Sequence, residues 1–334
     1  MKAIRKSFFI VILLLVIILG NACSSTEQTL SVPTASIFAS ISDSPSPQIT
    51  PSPAPTPNVE MYVDAYKNYT AGAPLAAVYD TRSKTYYYTT HDVSTRIYPA
   101  STTKLFTAYV ALQYLDPDEI VIAGNELDFV AEDASVADIP KGSRVSVSTL
   151  IKGMMLPSGN DAAYVIACKA GRALAKNQNI NADIALEFFM QEVNNQATRL
   201  GLLGTHFTTP DGYHRDDHYT TIQDLLRIAE LALSNETIAN AVQIPEETVW
   251  LESVQTTWKN TNWLVRPDKP YYIPDAIGLK TGYTDMAGYV LLSAFPGKIP
   301  SSYTIILVAQ CKSIESRFQY SMELYQILNN VNQA

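Results

Sequence analysis

Three short polar strings in this chain contain the residue types that an acyl-transfer reaction needs. They are, in chain order, Ser101-Thr-Thr-Lys104, Ser158-Gly-Asn160 and Lys280-Thr-Gly282. A serine hydroxyl acts as a nucleophile when an amine base lies beside it, and a second hydroxyl and a cation can then serve the leaving group. The strings therefore predict an enzyme that forms a covalent intermediate on serine.

The spacing of Ser101 and Lys104 places both residues on one face of a helix. Residues three apart are neighbours on a helix surface, and the apolar run 105–112 that follows is typical of a buried helix. Pro99 and Ala100 suit a helix start. A serine in the first turn has a free backbone N–H and the favourable end of the helix dipole. We expect Ser101 to be the nucleophile.

Lys104 must be uncharged if it is to accept the serine proton. An ordinary lysine is protonated at neutral pH, but burial and a second cation nearby both favour the neutral form. Lys280 is the natural second cation. The sequence therefore predicts that the two lysines lie close together and that the positive field of Lys280 keeps Lys104 neutral.

The surroundings of the other two strings indicate how they are presented. Ser158-Gly-Asn160 separates the apolar segments 150–156 and 162–170, which predicts a loop between two helices. Lys280-Thr-Gly282 lies between two further apolar segments that read as strands. Each string alone has a plain structural explanation, such as a turn at Ser158-Gly-Asn160, but all three in this order are far rarer.

Longer stretches around the strings resemble the penicillin-binding, active-site serine family, and most closely its low-molecular-mass D-alanyl-D-alanine carboxypeptidases (peptidase S11-like). The resemblance covers most of residues 60–332. The stretches that carry it are Tyr98-Pro-Ala-Ser-Thr-Thr-Lys104, Leu156-Pro-Ser-Gly-Asn-Asp-Ala-Ala163, Leu200-Gly201, Thr205-His-Phe207, Pro210-Asp-Gly212, His218-Tyr-Thr220 and Gly278-Leu-Lys-Thr-Gly-Tyr-Thr-Asp-Met-Ala-Gly288.

The resemblance implies a catalytic role for each matching residue. Ser101 should attack the carbonyl of the penultimate D-alanine of a peptidoglycan pentapeptide, and Lys104 should take its proton. Ser158 should pass a proton to the leaving terminal D-alanine. Asn160 should order Lys104 and a substrate amide.

Substrate binding carries over to the third string in the same way. Lys280 and the hydroxyl of Thr281 should bind the terminal carboxylate, and Gly282 should keep the strand edge open for the peptide. The oxyanion should lie between the backbone N–H groups of Ser101 and Tyr283. The resemblance implies neither a cofactor nor a metal.

The implied reaction is D,D-carboxypeptidase cleavage through an acyl-enzyme, with β-lactam antibiotics as covalent inhibitors. A D,D-endopeptidase, a weak β-lactamase and a non-catalytic β-lactam sensor remain open. Class A β-lactamases use an extra glutamate after the second string, and no Glu-x-x-Leu-Asn pattern follows Asn160; Glu230-Leu-Ala-Leu-Ser234 comes nearest. Efficient β-lactam hydrolysis is therefore not expected.

The first residues predict export. Three basic residues precede an apolar run at 8–19, which is short for a bilayer span but suits a signal peptide over residues 1–22. Cys23 follows Gly20-Asn-Ala22, a run of small residues that resembles the one before lipidated bacterial cysteines. The resemblance is imperfect, because Gly20 occupies the third position before the cysteine and Leu19 the fourth. We expect lipidation of Cys23, with plain secretion or an uncleaved anchor as the alternatives.

Residues 23–58 predict an extended tether, because a tract rich in serine, threonine and proline cannot bury a core. Its upper reach is about 100 Å in a polyproline II conformation. The enzyme would then lie at the outer face of the cytoplasmic membrane or in the cell wall. The net charge of −8 argues against a nucleic-acid partner, and no oligomeric state is indicated.

The remaining residues, 59–334, predict one hydrolase domain with an α/β (α+β), β-lactamase/transpeptidase-like fold. Early and late strands should form a five-stranded antiparallel sheet flanked by helices, with a mainly helical subdomain at about 115–245 and the catalytic groups at the seam. The predicted strands are 75–80, 85–90, 276–281, 288–295 and 303–311. The last helix should begin near Glu315 and bury a stripe of Phe318, Met322, Tyr325 and Leu328.

Two further groups of residues have plainer explanations than chemistry. Cys168 and Cys311 lie in apolar segments and should be small core residues without a bridge. His214 and His218, with nearby aspartates, could form a metal site, but their polar loop beside Gly212 favours a structural role.

Overall fold

The computed structural model describes residues 59–67, 69 and 72–333. The predicted signal peptide, the predicted lipidation of Cys23 and the predicted tether all fall outside these residues. The helices are α1 (Val59–Tyr66), α2 (Thr103–Ala111), α3 (Val147–Met155), α4 (Asn160–Leu174), α5 (Ala182–Arg199), α6 (Ile222–Leu233), α7 (Glu236–Gln243) and α8 (Ile314–Gln333). The strands are β1 (Leu75–Asp80), β2 (Thr85–Thr89), β3 (Arg96–Ile97), β4 (Ile120–Ile122), β5 (Arg144–Ser146), β6 (Thr220–Thr221), β7 (Glu246–Leu251), β8 (Val254–Lys259), β9 (Gly278–Thr284), β10 (Gly288–Pro296) and β11 (Tyr303–Cys311).

The main sheet has five antiparallel strands in the order β2-β1-β11-β10-β9. The predicted five-stranded sheet is therefore confirmed, with the first late strand displaced by two residues so that it begins at Gly278. The third catalytic string lies on β9, which is an edge of the sheet. An edge strand leaves backbone groups free to pair with an extended peptide.

Both faces of this sheet are buried, which makes the fold three layers thick. In β1, Leu75 and Ala77 pack toward the helical subdomain, whereas Ala76 and Val78 pack toward α1 and α8. Successive side chains of a strand point to opposite faces, and a strand covered on both sides is apolar throughout. The continuous apolar runs in β1, β10 and β11 follow from this double burial.

The buried stripe of α8 differs in its middle from the predicted one. Phe318 and Leu328 are fully buried as expected, but Ser321 and Leu324 occupy the central positions. The Ser321 hydroxyl is within 2.7 Å of the hydroxyl of Ser293 on β10. This hydrogen bond satisfies a polar side chain inside the core. Apolar residues alone therefore do not identify the buried face of α8, because a serine lies near its centre.

The predicted helical subdomain comprises α3 to α7 with the short hairpin β4–β5. Side chains of Ser146, Asn181, Thr221 and Asn235 accept hydrogen bonds from the first turns of α3, α5, α6 and α7, which stabilises those helix starts. The hairpin β7–β8 that returns the chain to the sheet was not predicted. Its Trp258 is buried and donates from Nε1 to the carbonyl of Ala137 at 2.8 Å.

Cys168 and Cys311 are buried and free, as predicted. In the described part of the chain, no helix combines the length and the apolar character needed to cross a bilayer.

Candidate active site

The nucleophile candidate lies in a tight turn at the start of α2. Ser101 is the middle residue of a 3-10 turn, Ala100–Thr102, that continues directly into the helix. Ala100 has φ +49°, a left-handed conformation that costs energy for a residue with a side chain. The strained turn directs a half-buried serine toward the seam between sheet and helical subdomain.

Lys104 lies behind this serine, fully buried. Its Nζ donates to Ser101 Oγ at 2.9 Å and to the carbonyl oxygen of Asp211 at 2.8 Å. Burial lowers the pKa of Lys104 to about 8, although the negative charges of Asp211 and Asp161 oppose the shift. About a tenth of such an amine is neutral one pH unit below its pKa, so a proton acceptor is present near neutral pH.

Lys280 is also buried, and its Nζ donates to the carbonyl oxygen of Thr281 at 3.0 Å. Burial holds the pKa of Lys280 well below its usual value, and the positive charges of Lys104 and Arg317 lower it further. The two lysines therefore interact as predicted. The predicted cause needs correction. Burial lowers the pKa of Lys104, whereas the repulsion between the two lysines lowers the pKa of Lys280.

The second string forms the predicted connection between two helices, α3 and α4. Ser158 is nearly buried and has φ +67°, a strained conformation that directs the chain into α4 at Asn160. The next residue, Asp161, accepts hydrogen bonds from the backbone N–H groups of Ala137 and Ile139 at 2.8 and 3.0 Å. These bonds fix the loop at the cavity wall to the start of α4.

Gly282 explains how the edge strand comes so close to the nucleophile. A Cβ atom there would lie 3.0 Å from Ala100 Cβ and 3.2 Å from Ser101 N. A Cβ atom at 282 would therefore force β9 or the turn to shift by a few tenths of an ångström. Beside it, the Thr281 hydroxyl is 2.7 Å from the hydroxyl of Thr261, which orients it at the cavity wall.

A cavity of about 860 Å³ opens between β9 and the helical subdomain, within the size range of ligand sites. Lys104 and Lys280 are buried behind its walls and do not line it. The other six predicted site residues all line this cavity, namely Ser101, Ser158, Asn160, Thr281, Gly282 and Tyr283.

The sequence reasoning missed Arg317, which lines the same cavity from α8. Its guanidinium donates from Nη1 to the carbonyl of Gly282 at 3.2 Å and lies over the rings of Tyr289 and Phe318. Burial lowers its pKa to about 10, so it remains a cation near neutral pH. No local signal marks an arginine 35 positions after Gly282, since only the fold brings α8 to β9.

The loop 208–218, whose histidines were expected to have a structural role, holds the start of α2. His218 lies 2.9 Å from Thr103 Oγ1 through Nε2, and its Nδ1 accepts from the backbone N–H of Thr208 at 3.0 Å. Burial lowers the pKa of His218 to about 3. Both ring nitrogens are therefore engaged in a neutral, structural histidine.

Gly212 allows this loop its closest approach to the nucleophile turn. It has φ +82°, and a Cβ atom there would lie 1.9 Å from the carbonyl oxygen of Ala100. Among the described residues no group of three or more His, Cys, Asp or Glu side chains could hold a metal ion.

A family model described as D-alanyl-D-alanine carboxypeptidase matches residues 68–306. The chain belongs to this family. A D-alanyl-D-alanine carboxypeptidase of Streptomyces sp. (strain K15) is 36% identical over 215 residues, which cover 61% of this chain and 70% of that protein. The carboxypeptidase DacF of Bacillus subtilis (strain 168) is 28% identical over 204 residues, 60% of this chain and 48% of DacF.

Solved structures of the family share the fold. The crystal structure of the Streptomyces K15 DD-transpeptidase superposes with a TM-score of 0.68 at 32% identity, covering 78% of this chain and 97% of that chain. The match confirms the predicted β-lactamase/transpeptidase-like architecture. The chain thus spans nearly all of the Streptomyces structure but about half of the length of DacF.

Proposed function

We propose that this protein is a serine-type D,D-carboxypeptidase that removes the terminal D-alanine from peptidoglycan stem peptides through an acyl-enzyme. The observation that carries the proposal is the 2.9 Å contact between Ser101 Oγ and Lys104 Nζ at a cavity bordered by the edge strand β9. The family match supports the substrate class.

Acylation begins when neutral Lys104 takes the proton of Ser101. As the proton leaves, Oγ bonds to the carbonyl carbon of the penultimate D-alanine, and the backbone N–H groups of Ser101 and Tyr283 stabilise the negative oxygen. The peptide C–N bond then breaks. The leaving nitrogen receives the proton held by Lys104, relayed by the hydroxyl of Ser158, which lines the cavity.

Deacylation uses the same base. A water molecule gives its proton to Lys104 while its oxygen bonds to the acyl carbon. The ester bond to Ser101 breaks, and Lys104 returns the proton to Oγ. Both half-reactions therefore need the neutral amine, and the enzyme returns to its starting state.

The terminal carboxylate of the substrate would bind at Thr281 and Arg317. Both line the cavity, and Arg317 Nε is a buried donor without a partner among the described residues. A charge-assisted hydrogen bond from a guanidinium to a carboxylate is strong and directional. Lys280, buried behind Thr281 with its amine on the Thr281 carbonyl, adds positive charge behind the wall when protonated.

Slow β-lactam hydrolysis is the second expected property of this site. β-Lactams would acylate Ser101, but no glutamate is among the described residues that line the cavity. Glu230, the nearest candidate by sequence, instead contacts Lys84 and Arg227 through hydrogen bonds. The acyl-enzyme would therefore persist, as in an inhibited target.

The proposed place of action is outside the cytoplasmic membrane, because the peptidoglycan substrate lies there. Lipidation of Cys23 and a tether at residues 23–58 would hold the enzyme near the membrane. Mass spectrometry of the mature protein from a bacterial host tests this: a diacylglyceryl adduct on Cys23 supports the anchor, and an unmodified mature N-terminus elsewhere would contradict it.

Two measurements test the main proposal. Release of D-alanine from a pentapeptide mimic should be readily detected with the wild type and lost in Ser101→Ala; equal release by both would reject the assignment. Intact mass after benzylpenicillin, followed by peptide mapping, should place the adduct on Ser101. The relative rates on cross-linked dimer, pentapeptide and nitrocefin separate carboxypeptidase from endopeptidase and β-lactamase activity.

A further inference from the structure

A second cavity lies on the helical subdomain beside strand β4. It has a volume of about 500 Å³ and is lined by Ile120–Ile122 on one side and by Lys169, Arg172 and Ile180 on the other. None of the described residues that line it also lines the active-site cavity. We call the space between these two sets of residues the β4 groove.

Strand β4 presents an unpaired main-chain edge to the β4 groove. Val147 donates from its backbone N–H to the carbonyl of Glu119 at 2.9 Å, so these two residues form a hydrogen-bonded pair of the ladder between β4 and β5. Such pairs alternate along antiparallel strands, and the N–H and C=O groups of Ile120 and Ile122 therefore point away from β5. Among the described residues, no side chain or loop backbone supplies a hydrogen bond to them.

The opposite edge of the same two-stranded sheet is covered. The backbone N–H of Arg144 on β5 donates to Oε1 of Glu252 at 2.8 Å. Proteins often protect an exposed edge with lysine, proline or a covering loop, but β4 instead carries Ile120 and Ile122, which are 47% and 58% exposed. Its length of three residues limits indiscriminate pairing. The edge therefore suits a short, extended and partly apolar segment.

The facing wall of the β4 groove carries two cations of α4. Lys169 is matched, because its Nζ lies 2.6 Å from Oε1 of Glu119. Arg172 is matched only in part: Nε donates to the carbonyl of Ile180 at 3.3 Å, and Nη2 stands 3.6 Å from Oε2 of Glu126. Within the described part of the chain, its two terminal nitrogens donate no hydrogen bond. A guanidinium in this state fits the two oxygens of a carboxylate.

We propose that the β4 groove binds an extended segment of a partner protein, which adds to β4 as a third strand and places an acidic side chain at Arg172. The main chain of the segment would pair with the free groups of Ile120 and Ile122, as in other cases of strand addition. Because Lys169 and Arg172 line the groove against one carboxylate, that of Glu126, the charge of the lining favours an acidic segment over a basic one.

Synthetic peptides that alternate threonine and valine, with blocked termini, test the proposal. Each carries a single glutamate at a different position, and binding to the full chain is measured by fluorescence anisotropy. We expect one position to bind most tightly, and glutamine in its place should weaken binding by about 5-fold or more. Methylation of alternate backbone nitrogens should abolish binding in one register and be tolerated in the other, because only one edge of the added strand pairs with β4.

Variants of the protein separate main-chain pairing from side-chain contact. Ile122→Pro removes a free N–H without breaking a bond to β5, a position where an edge strand tolerates proline, and should lower the affinity by about 10-fold or more. The control Ile122→Thr keeps the N–H and should bind within about 3-fold of the wild type. All variants should retain cooperative thermal unfolding.

The charge contact has its own pair of variants. Arg172→Gln should remove the preference for glutamate over glutamine in the peptide. Arg199→Gln should keep it, because Arg199 pairs with Glu192 and neither residue lines the β4 groove.

Three results would overturn the proposal. The first is no peptide binding at about 1 mM protein, and the second is equal binding by the wild type and Ile122→Pro. The third is a glutamate preference that survives Arg172→Gln. Sedimentation that shows dimers of the wild type but not of Ile122→Pro would also overturn it, because a second copy of β4 would then occupy the groove.

Discussion

The amine of Lys104 lies 2.9 Å from the hydroxyl oxygen of Ser101, and the lysine side chain is buried in the folded protein. The contact joins the nucleophile to its base, and the burial makes the base available, because it lowers the pKa of Lys104 to about 8. One position in the fold therefore provides both the geometry and the protonation state that the proposed reaction requires.

The pH dependence of acylation should follow the titration of Lys104. Only the neutral amine accepts a proton, so kcat/KM should rise about 10-fold per pH unit below a pH of about 8 and level off above it. The second-order rate constant for benzylpenicillin acylation should show the same lower limb. A profile that is flat between about pH 6 and about pH 8 would exclude Lys104 as the base.

Removal of the Arg317 guanidinium should weaken recognition of the terminal carboxylate. We expect Arg317→Leu to lower kcat/KM for an acyl-D-Ala-D-Ala peptide by about 10- to 100-fold, the range of a lost charge-assisted hydrogen bond. The same peptide ending in a carboxamide should be a poor substrate for the wild type and should lose little further in the variant. Arg227→Leu is the control, because Arg227 pairs with Glu230 outside the cavity; an equal loss there would contradict the assignment.

A methyl group at position 282 should slow acylation. In Gly282→Ala the added Cβ would meet Ala100 Cβ at 3.0 Å and Ser101 N at 3.2 Å, so β9 or the nucleophile turn must shift by a few tenths of an ångström. We expect benzylpenicillin acylation to slow by about 10-fold or more, because displaced oxyanion donors lose their effect. Gly142→Ala, with φ +90° and nothing within 4 Å, should change thermal stability and leave acylation unaltered.

The buried His218 should make the fold sensitive to acid. Its pKa is lowered to about 3 by burial, so between about pH 6.5 and about pH 3 the unfolded chain binds a proton that the folded chain does not. The free energy of unfolding should therefore decrease as pH falls through this window, by up to about 1.4 kcal/mol per pH unit from this group.

Replacement of His218 by glutamine isolates this effect. Glutamine can still donate to Thr103 and accept from the Thr208 N–H, but it has no proton to gain. Urea unfolding at a series of pH values should show a smaller loss of stability in His218→Gln than in the wild type below about pH 6. Identical slopes for the two proteins would show that His218 does not contribute to the acid sensitivity.

The catalytic strings and the sheet could be predicted from the sequence because each depends on local spacing. Ser101 and Lys104 are one helical turn apart, and apolar runs mark three of the five strands of the main sheet, β1, β10 and β11. Arg317 and the carbonyl of Asp211 could not be found in this way. Both reach the site through tertiary packing, which leaves no periodic signal around either residue.

The charge states were the least predictable property of the site. Proximity of Lys104 and Lys280 followed from the motif pair, but burial proved to be the main cause of both pKa shifts, and burial is a property of the finished fold. The hairpin β7–β8 and the middle of the α8 stripe were missed for a related reason. Their polar residues pair with partners that only the folded chain provides, such as Ser293 for Ser321.

The turn that carries Ser101 is confined on two sides, by the backbone at Gly212 and by the backbone at Gly282. Resistance to a β-lactam drug could therefore not evolve by enlarging either glycine without also damaging the physiological reaction. Escape substitutions should arise instead at the wider entrance, where the side chains of Tyr213 and Tyr283 are exposed. A drug scaffold that contacts only the confined inner surface would leave the bacterium fewer routes of escape.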